Sequence, residues 1–247
     1  MKFICWLILF LLLVQEVSGQ ERKIADEFLI VFYNVENLFD TENDPAILDD
    51  EFTPDSEKMW DAERYEKKLD DIAEVLGSIR KRDLPEIIGL CEVENRKVLE
   101  DLINAKKLRR EEFGIVHQDS PDARGIDVAL LYRKERFKIL AQKVLPVDFP
   151  FDTIRTRDIL YVKGETGDPE TFHVFVNHWS SRTEGDKTTE RRRIYAAVSL
   201  RKSVDSILNF EPDAKIIIMG DFNDEPTNMS LHTVLNAGNK RKNATNR

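Results

Sequence analysis

The sequence is poor in the residues that stabilise small disulfide scaffolds or fibrous proteins. Its 247 residues include only two Cys, ten Gly and nine Pro. So few glycines and prolines exclude the collagen-like and low-complexity classes, and two cysteines are too few for a disulfide-rich scaffold. A chain of this length does not need disulfides for stability, because a domain of this size buries roughly 70% of its unfolded surface. The composition therefore predicts a packed globular protein.

Basic residues are also in deficit, with 37 Lys and Arg against 46 Asp and Glu and a net charge of −9. A surface with this excess of negative charge repels nucleic acids and anionic lipids as a whole. The sequence also has no basic stretch interleaved with aromatic residues, a pattern that would favour tight nucleic-acid binding. Any contact with nucleic acid is therefore expected to be local.

Long apolar runs are absent except at the N-terminus, where residues 3–14 are all apolar. This run follows Lys2 and precedes small residues up to Gly19, as in a secretory signal peptide, and it is shorter than the roughly 20 residues that span a bilayer. We expect a signal peptide over residues 1–19, one domain over residues 20–247, and a secreted or periplasmic product without stable membrane insertion after cleavage. An uncleaved N-terminal anchor is the alternative.

Cleavage after Gly19 would remove Cys5 and leave Cys91 as the single thiol of the mature protein. One thiol cannot form an internal disulfide, so the mature fold is expected to do without one. Cys91 lies inside an apolar run, and we expect it to pack in the core.

Apolar periodicity indicates a mixed α/β protein. Continuous apolar runs predict buried strands at residues 28–33, 87–91 and 216–219, and helical spacing predicts amphipathic helices at residues 60–80, at residues 98–103 and at residues 188–208. Short runs separated by turns predict antiparallel strands at residues 128–132, 137–147, 159–163 and 171–176. Helices on both sides of a long β stretch favour sheets covered by helices over a purely parallel fold.

Two charged segments are open to a structural and a functional interpretation. Residues 40–57 contain eight acidic residues and no basic one, and a solvated connection is favoured over a dedicated cation site. The Arg191–Arg192–Arg193 run lies on the last predicted helix, and it is interpreted as a solvated face because successive helical residues point in different directions.

Four predicted buried strands share one feature, which is that polar or ionisable residues follow each of them. The pairs are Asn34 and Glu36, Glu92 and Glu94, Asn177 and His178, and Asp221 and Asn223. One such ending is explained by a turn, because Asn and Asp favour turns. Four endings together favour a common cleft, because ligand sites in α/β proteins lie outside the carboxyl ends of strands.

The predicted cleft is rich in carboxylate and amide oxygens, with one imidazole and no thiolate. Such a donor set suits Mg²⁺, with Mn²⁺ and Ca²⁺ as alternatives, whereas zinc prefers Cys or several His. A hard cation held by one or two carboxylates keeps positions open for water and a phosphate oxygen. The residues therefore indicate phosphate-ester chemistry.

The same residues lie in four ordered segments that resemble the endonuclease/exonuclease/phosphatase superfamily. The segments are NVENL at residues 34–38, LCEVEN at residues 90–95, NHWSSR at residues 177–182 and GDFNDEP at residues 220–226. The resemblance implies a four-layer α/β sandwich, with two mixed β-sheets face to face and helices outside. It also implies a metal-dependent phosphodiesterase or endonuclease whose partner is a phosphate ester, with DNA or RNA among the candidates, and we expect a monomer.

The resemblance also implies a role for each residue of the cleft. Glu92 would be the main Mg²⁺ ligand and Glu36 a second one, through water. Asn34 would help to hold the metal and the phosphate, Asp221 would orient or deprotonate the attacking water, and Asn223 would donate to a phosphate oxygen. His178 would donate to the phosphate or to the leaving oxygen. Asp127 is the candidate acid that orients His178, although a loop position without that role is the alternative.

The sequence departs from the family pattern at its C-terminal end. Family members end with a strand followed by an Asp-His pair, whereas no Asp follows Asp224 and no His follows His232. His232 is interpreted as structural or exposed, and the last strands of the second sheet are expected to be missing. A catalytically silent or vestigial binding domain of the same fold is therefore the alternative to an active hydrolase.

Overall fold

The computed structural model describes residues 27–80, 83–168, 170–182 and 185–238. The predicted signal peptide at residues 1–19 and the polar C-terminal residues 239–247 lie outside the described residues. None of the helices in the described part combines the length and apolar character needed to cross a bilayer.

The first sheet has the strand order β1-β2-β4-β3. Its strands are β1 (Ile30–Leu38), β2 (Ile87–Val93), β3 (Phe113–His117) and β4 (Asp127–Arg133). β1 and β2 are parallel, and the β2/β4 and β3/β4 pairs are antiparallel. Because β1 and β2 are parallel, their carboxyl ends, which carry Asn34 and Glu92, lie at the same edge of the sheet.

The second sheet has the order β5-β6-β7-β8. Its strands are β5 (Phe137–Leu145), β6 (Ile159–Thr166), β7 (Thr171–His178) and β8 (Lys215–Asp221). The first three strands are antiparallel neighbours, and β8 is parallel to β7, so His178 pairs with Asp221 in the register. β1 and β8 are edge strands of the two sheets among the described residues.

Three helices cover the outer faces of the sheets, with α1 at Ala62–Ser78, α2 at Arg96–Asn104 and α3 at Asp186–Phe210. α1 and α2 begin at side-chain caps, where Asp61 accepts the Arg64 N–H and Asn95 accepts the Val98 N–H. A short π-helical segment at Met229–Val234 follows β8.

The molecule is a four-layer α/β sandwich of two mixed sheets. One apolar cluster packs the first sheet against α1 and α2, and another packs the second sheet against α3 and the π-helical segment. The third cluster lies between the sheets and joins residues such as Ile87 and Leu130 of the first to Val162 and Val174 of the second. Cys91 is fully buried in this central cluster, as the sequence predicts.

The structure differs from the sequence-based expectations at three places. β3 was not predicted from the sequence, because its five residues include Gly114 and carry a weak strand signal. The arginine run is not a solvated face, since Arg192 and Arg193 are buried on α3 and pair with acidic residues. The acidic segment is only partly solvated, because the side chains of Asp40 and Asp49 are buried.

The buried carboxylates of the acidic segment lie next to Glu94, which follows the end of β2. The Asp40 N–H donates to Glu94 Oε2 at 2.7 Å. Burial raises the pKa of Glu94 to about 7, and the negative charges of Asp40 and Asp49 add to this shift. The Glu94 carboxylate therefore fixes the start of the acidic segment through this hydrogen bond. Its ionised form is disfavoured by burial and by the neighbouring carboxylates.

Candidate active site

Side chains from three strands and both sheets meet at one edge of the sandwich. Asn34 Nδ2 donates to Glu92 Oε1 at 3.0 Å and to Asp221 Oδ2 at 3.1 Å. Asn34 and Glu92 belong to the first sheet and Asp221 to the second. The polar ends of these strands therefore converge, as the sequence predicts, and a single amide group bridges the two carboxylates.

His178 lies beside this group at the end of β7, with Nε2 3.7 Å from Glu92 Oε1. Its side chain is buried, and its Nδ1 has no hydrogen-bond partner. Burial lowers the pKa of His178 to about 2, and the positive charges of Arg157 and Arg124 add to this shift. The imidazole is therefore neutral, and one of its ring nitrogens carries an N–H that has no hydrogen-bond partner among the described residues.

Arg157 supports the His178 backbone from behind. Its guanidinium donates to the carbonyl oxygens of His178 at 3.2 Å and Trp179 at 2.7 Å, and it pairs with Asp122 at 2.8 Å. Both charged side chains are buried. Sequence reasoning missed Arg157, because a single arginine in a polar segment carries no local signal that it is buried.

The loop after β8 is held in place by hydrogen bonds to the end of β7. Asp221 Oδ1 accepts the Asn223 N–H at 3.0 Å, and Asn223 Nδ2 donates to the Trp179 carbonyl at 3.0 Å. Gly220 allows the strands to come this close, because a Cβ there would lie 2.3 Å from the Asn177 carbonyl oxygen. The Asp221 carboxylate is therefore fixed relative to His178.

Three of the predicted site residues have left-handed backbone conformations. The φ angles are 54° at Glu36, 64° at Glu92 and 49° at Asn223. Such a conformation in a residue other than glycine costs roughly 1–3 kcal/mol, and it tends to occur at active sites and ligand clamps. All three residues lie at or just after the carboxyl ends of strands at one edge of the sandwich, which favours a functional role for these backbone conformations.

Glu36 is exposed and lies apart from the central group. Its N–H donates to Asn34 Oδ1 at 2.9 Å, and its carbonyl oxygen accepts from Lys68 Nζ at 3.0 Å. No hydrogen bond or ion pair of the described residues joins its carboxylate to Glu92 or Asp221. The role of Glu36 as a second metal ligand therefore stays a prediction.

Asp127 does not orient His178 in this structure, which corrects the pairing expected from the sequence. Its carboxylate accepts the Ser120 N–H at 2.9 Å, and its Oδ2 lies 3.3 Å from His117 Nε2. The reason is the pairing of β3 with β4, which places His117 opposite Ala129 and next to Asp127. The β3–β4 connection therefore occupies the carboxylate that was expected to face His178.

The sequence-based reasoning did not identify the group formed by His117, Asp119 and Asp127. Their donor atoms lie within 4.8 Å of one another, and this is the one such set of three that the described residues contain. Asp119 is exposed, and His117 Nε2 has no hydrogen-bond partner. His117 ends β3 and Asp127 begins β4. Because β3 was not predicted, nothing in the sequence indicated that these residues meet.

The donor set at the strand ends fits a hard divalent cation. Glu92 and Asp221 supply carboxylate oxygens and Asn34 an amide group, without sulfur. Mg²⁺ is commonly held by only one or two protein carboxylates, with water and substrate phosphate completing its coordination. Asn34, Glu92 and Asp221 therefore suit this type of ion without a dedicated cage.

An open cavity of about 540 Å³ lies beside this group. Its lining includes Asn34, Asp221, Asn223 and Glu225, together with Arg182 and Asp224, which form an ion pair at 3.2 Å. The carboxylates of Asp221 and Glu225 repel an anionic ester, so a cation bound beside them would favour the binding of a phosphate. The electrostatics and the donor chemistry therefore agree with a cation site.

The low pKa of His178 predicts a pH-dependent stability. The unfolded chain binds a proton on this residue below its ordinary pKa of 6.5, whereas the folded chain does not until about pH 2. Stability is therefore lost as the pH falls below 6.5, by about 2 kcal/mol at pH 5 for this residue. Urea unfolding at pH 7.5 and pH 5 should show this loss, and H178Q should lack it. An equal pH dependence in both proteins would contradict the prediction.

Two face-to-face mixed sheets with outer helices and a polar cleft at the strand ends define an α/β sandwich of the hydrolase type. The profile of the endonuclease/exonuclease/phosphatase family matches residues 29–247, and the chain belongs to this family. Members of the family are hydrolases that act on phosphate esters. No curated protein shows significant similarity to the sequence.

Solved structures show the same fold at low sequence identity. The human Nocturnin catalytic domain with bound sulfate is 23% identical, with a TM-score of 0.53 over 68% of this chain and 60% of that one. A Bacteroides thetaiotaomicron family protein is 16% identical, with a TM-score of 0.53 over 83% and 65%. ANGEL2, a 2′,3′-cyclic phosphatase, is 15% identical, with a TM-score of 0.51 over 68% and 46%. The chain thus spans less than two thirds of the length of these relatives.

Proposed function

We propose that this protein is a divalent-cation-dependent, phosphodiesterase-like hydrolase that cleaves a phosphate ester by in-line attack of water. The observation that carries the proposal is the position of Asn34, whose amide joins Glu92 and Asp221 across the two sheets. The family match and the phosphatase among the relatives support phosphate-ester chemistry. DNA and RNA are the first substrates to test, and inorganic cations in the order Mg²⁺, Mn²⁺ and Ca²⁺ are the first cofactors.

Glu92 would hold the cation, with Glu36 as a further ligand through water, and Asn34 would help by fixing the Glu92 and Asp221 carboxylates, to which its Nδ2 donates. When it is bound, such a cation neutralises negative charge on the phosphoryl group.

Each remaining residue of the cleft has a defined chemical task in the proposal. Asp221 accepts a proton from the attacking water, and its carboxylate is held by Asn34 and by the Asn223 N–H. Asn223 has a second amide hydrogen for a phosphoryl oxygen, since only one contact of Nδ2 goes to Trp179. His178 donates its neutral N–H to a phosphoryl or leaving oxygen, because its low pKa keeps it uncharged.

Metal removal tests the proposal directly. Hydrolysis of bis(p-nitrophenyl) phosphate and of short oligonucleotides should stop in EDTA and return with excess Mg²⁺ or Mn²⁺. E92Q should need an Mg²⁺ concentration at least about 10-fold higher for half-maximal rate, by analogy with the loss of affinity when a metal site is altered. E100Q is the matched control, because Glu100 is exposed on α2 and pairs only with nearby helical residues.

Two results would contradict the proposal. Hydrolysis that persists in EDTA would exclude metal dependence, and a rate that is equal in the native protein, E92Q and E100Q would assign the activity to a contaminant. Absence of hydrolysis with every cation would favour the alternative, a catalytically silent binding domain of the same fold.

We also propose that the protein is exported to the periplasm or the cell exterior and that its signal peptide is removed near Gly19. The support is the apolar run at residues 3–14 after Lys2. N-terminal sequencing of the protein from a periplasmic fraction tests this, and a mature protein that begins at Met1 would contradict it.

A further inference from the structure

A second cavity lies next to the segment that follows His178 and Trp179. It has a volume of about 330 Å³ and is lined by ten residues, of which four are arginines. The arginines are Arg124, Arg155, Arg157 and Arg192. In a chain with a net charge of −9, this concentration of positive charge is a local reversal of the overall surface potential.

Two of these guanidinium groups are paired with carboxylates and form the framework of the cavity. Arg157 pairs with Asp122 at 2.8 Å, and Arg192 pairs with Asp152 at 2.6 Å. Both arginines are buried. Their positive charge is therefore largely balanced, and their position is fixed.

The other two guanidinium groups are more accessible. Arg155 is exposed and makes no hydrogen bond or ion pair within the described residues, although its charge acts on Asp158. Arg124 is half-exposed, and its Nε donates to Asp122 Oδ1 at 3.4 Å, while Asp122 also pairs with Arg157 at 2.8 Å. One carboxylate therefore serves two guanidinium groups, and the accessible side of the cavity is positively charged.

Thr156 adds an unpaired hydroxyl to the lining. The residue is 5% exposed, and its Oγ1 has no hydrogen-bond partner. Buried hydroxyl groups are normally hydrogen-bonded, and an unpaired one in a native structure indicates an absent water, ion or ligand. Thr156 lies between the free Arg155 and the buried Arg157, so donors of two chemical types line one small space.

The segment that follows His178 connects this cavity to the candidate active site. Ser180 and Ser181 line the cavity and follow His178 and Trp179 in the sequence. Arg157 reaches from the cavity to the carbonyl oxygens of His178 and Trp179. A substrate bound at the cleft could therefore extend a neighbouring group into the cavity.

We propose that this cavity binds a second phosphate group of the substrate, next to the phosphate that is hydrolysed. The inference rests on the proposed function of the neighbouring cleft. Guanidinium groups bind phosphate through paired, charge-assisted hydrogen bonds, and a hydroxyl donor completes such a site. The second phosphate is either the next backbone phosphate of a nucleic acid or the second phosphate of a small bisphosphate.

Matched substrates test this inference. One pair is dithymidine with and without a terminal phosphate, and the other is a sugar bisphosphate and the corresponding monophosphate, all with Mg²⁺. The ratio of kcat/KM within a pair should exceed about 10 for the native protein and fall about 10-fold in R124Q/R155Q, because each lost charged hydrogen bond weakens binding. R96Q is the control, because Arg96 is exposed on α2 and contacts only Glu100 among the acidic residues.

The pair of substrates that shows the effect identifies the source of the second phosphate. A ratio that is the same in the native protein and R124Q/R155Q, for both pairs, overturns the inference while the hydrolase proposal stands. If the native protein hydrolyses none of the four compounds, the hydrolase proposal fails for these substrates. The inference about the cavity is then tested by phosphate binding alone.

Binding without metal supplies that second measurement. Inorganic phosphate in EDTA should raise the Tm of the native protein and of R96Q, because ligand that binds only the folded state stabilises it. The same phosphate should give a smaller shift in R124Q/R155Q. Equal shifts in all three proteins, or no shift in any, would overturn the inference whatever the hydrolysis results are.

Discussion

D221N is expected to lower the rate of phosphodiester hydrolysis by about 10²–10⁴-fold, the contribution typical of a general base. Asn retains an oxygen that can accept the Asn223 N–H, which Asp221 Oδ1 does at 3.0 Å. It lacks the second carboxylate oxygen, so it cannot accept a proton and loses the hydrogen bond from Asn34 Nδ2. The change therefore removes the chemistry of Asp221 and keeps the contact that fixes the loop after β8.

The measurement is kcat at a fixed pH of 7.5, with Mg²⁺ in excess. The native protein should turn over substrate at the full rate, and D221N should retain only the rate that the bound cation and the other cleft residues support. D213N is the matched control, because Asp213 is exposed just before β8 and makes no contact with the cleft. A reduction of less than about 10-fold in D221N would exclude Asp221 as the base.

R193M is expected to destabilise the fold by about 3–5 kcal/mol, the usual cost of leaving one partner of a buried ion pair alone. Arg193 on α3 lies 2.8 Å from Asp224, and both side chains are almost completely buried. The same guanidinium donates to Thr189 Oγ1 at 2.8 Å. Asp224 directly follows Asn223, so this pair fixes the cleft loop to the helix.

Urea unfolding at pH 7.5 gives the free energy of unfolding for this comparison. K67Q is the control for an ion pair at the surface, since Lys67 and Asp71 are both exposed, and it should cost at most about 1 kcal/mol. The double variant R193M/D224N should recover part of the loss, because it removes the uncompensated charge. A loss below about 1 kcal/mol in R193M would show that Arg182 alone neutralises Asp224.

Much of the architecture was predictable because buried segments show a characteristic spacing of apolar residues in the sequence. The apolar runs of β2, β7 and β8 and the helical spacing of α1 each reflect which side of an element faces the core. β3 is the exception, because five residues with a glycine provide too short a pattern. The element boundaries shifted by a few residues, since strands continue past their apolar part into polar residues of the site.

The candidate site was predictable to the extent that its residues end buried strands. Asn34, Glu92 and Asp221 fall at such ends, and the structure brings them together. Asp127 was expected to face His178, and the structure pairs it with His117 instead. The partner of Asp127 depends on how the β3–β4 connection folds back, and no local sequence pattern predicts that path.

Side-chain type and periodicity within a segment were enough to predict the order of the strands and helices other than β3, the polar residues at the strand ends and the oxygen-rich chemistry of the cleft. The burial of Arg157, Arg192 and Arg193 and the basic cavity that two of them line are visible only in the folded chain. Burial of a charge depends on a partner distant in the sequence, such as Asp122 for Arg157, and only the folded chain brings the two together.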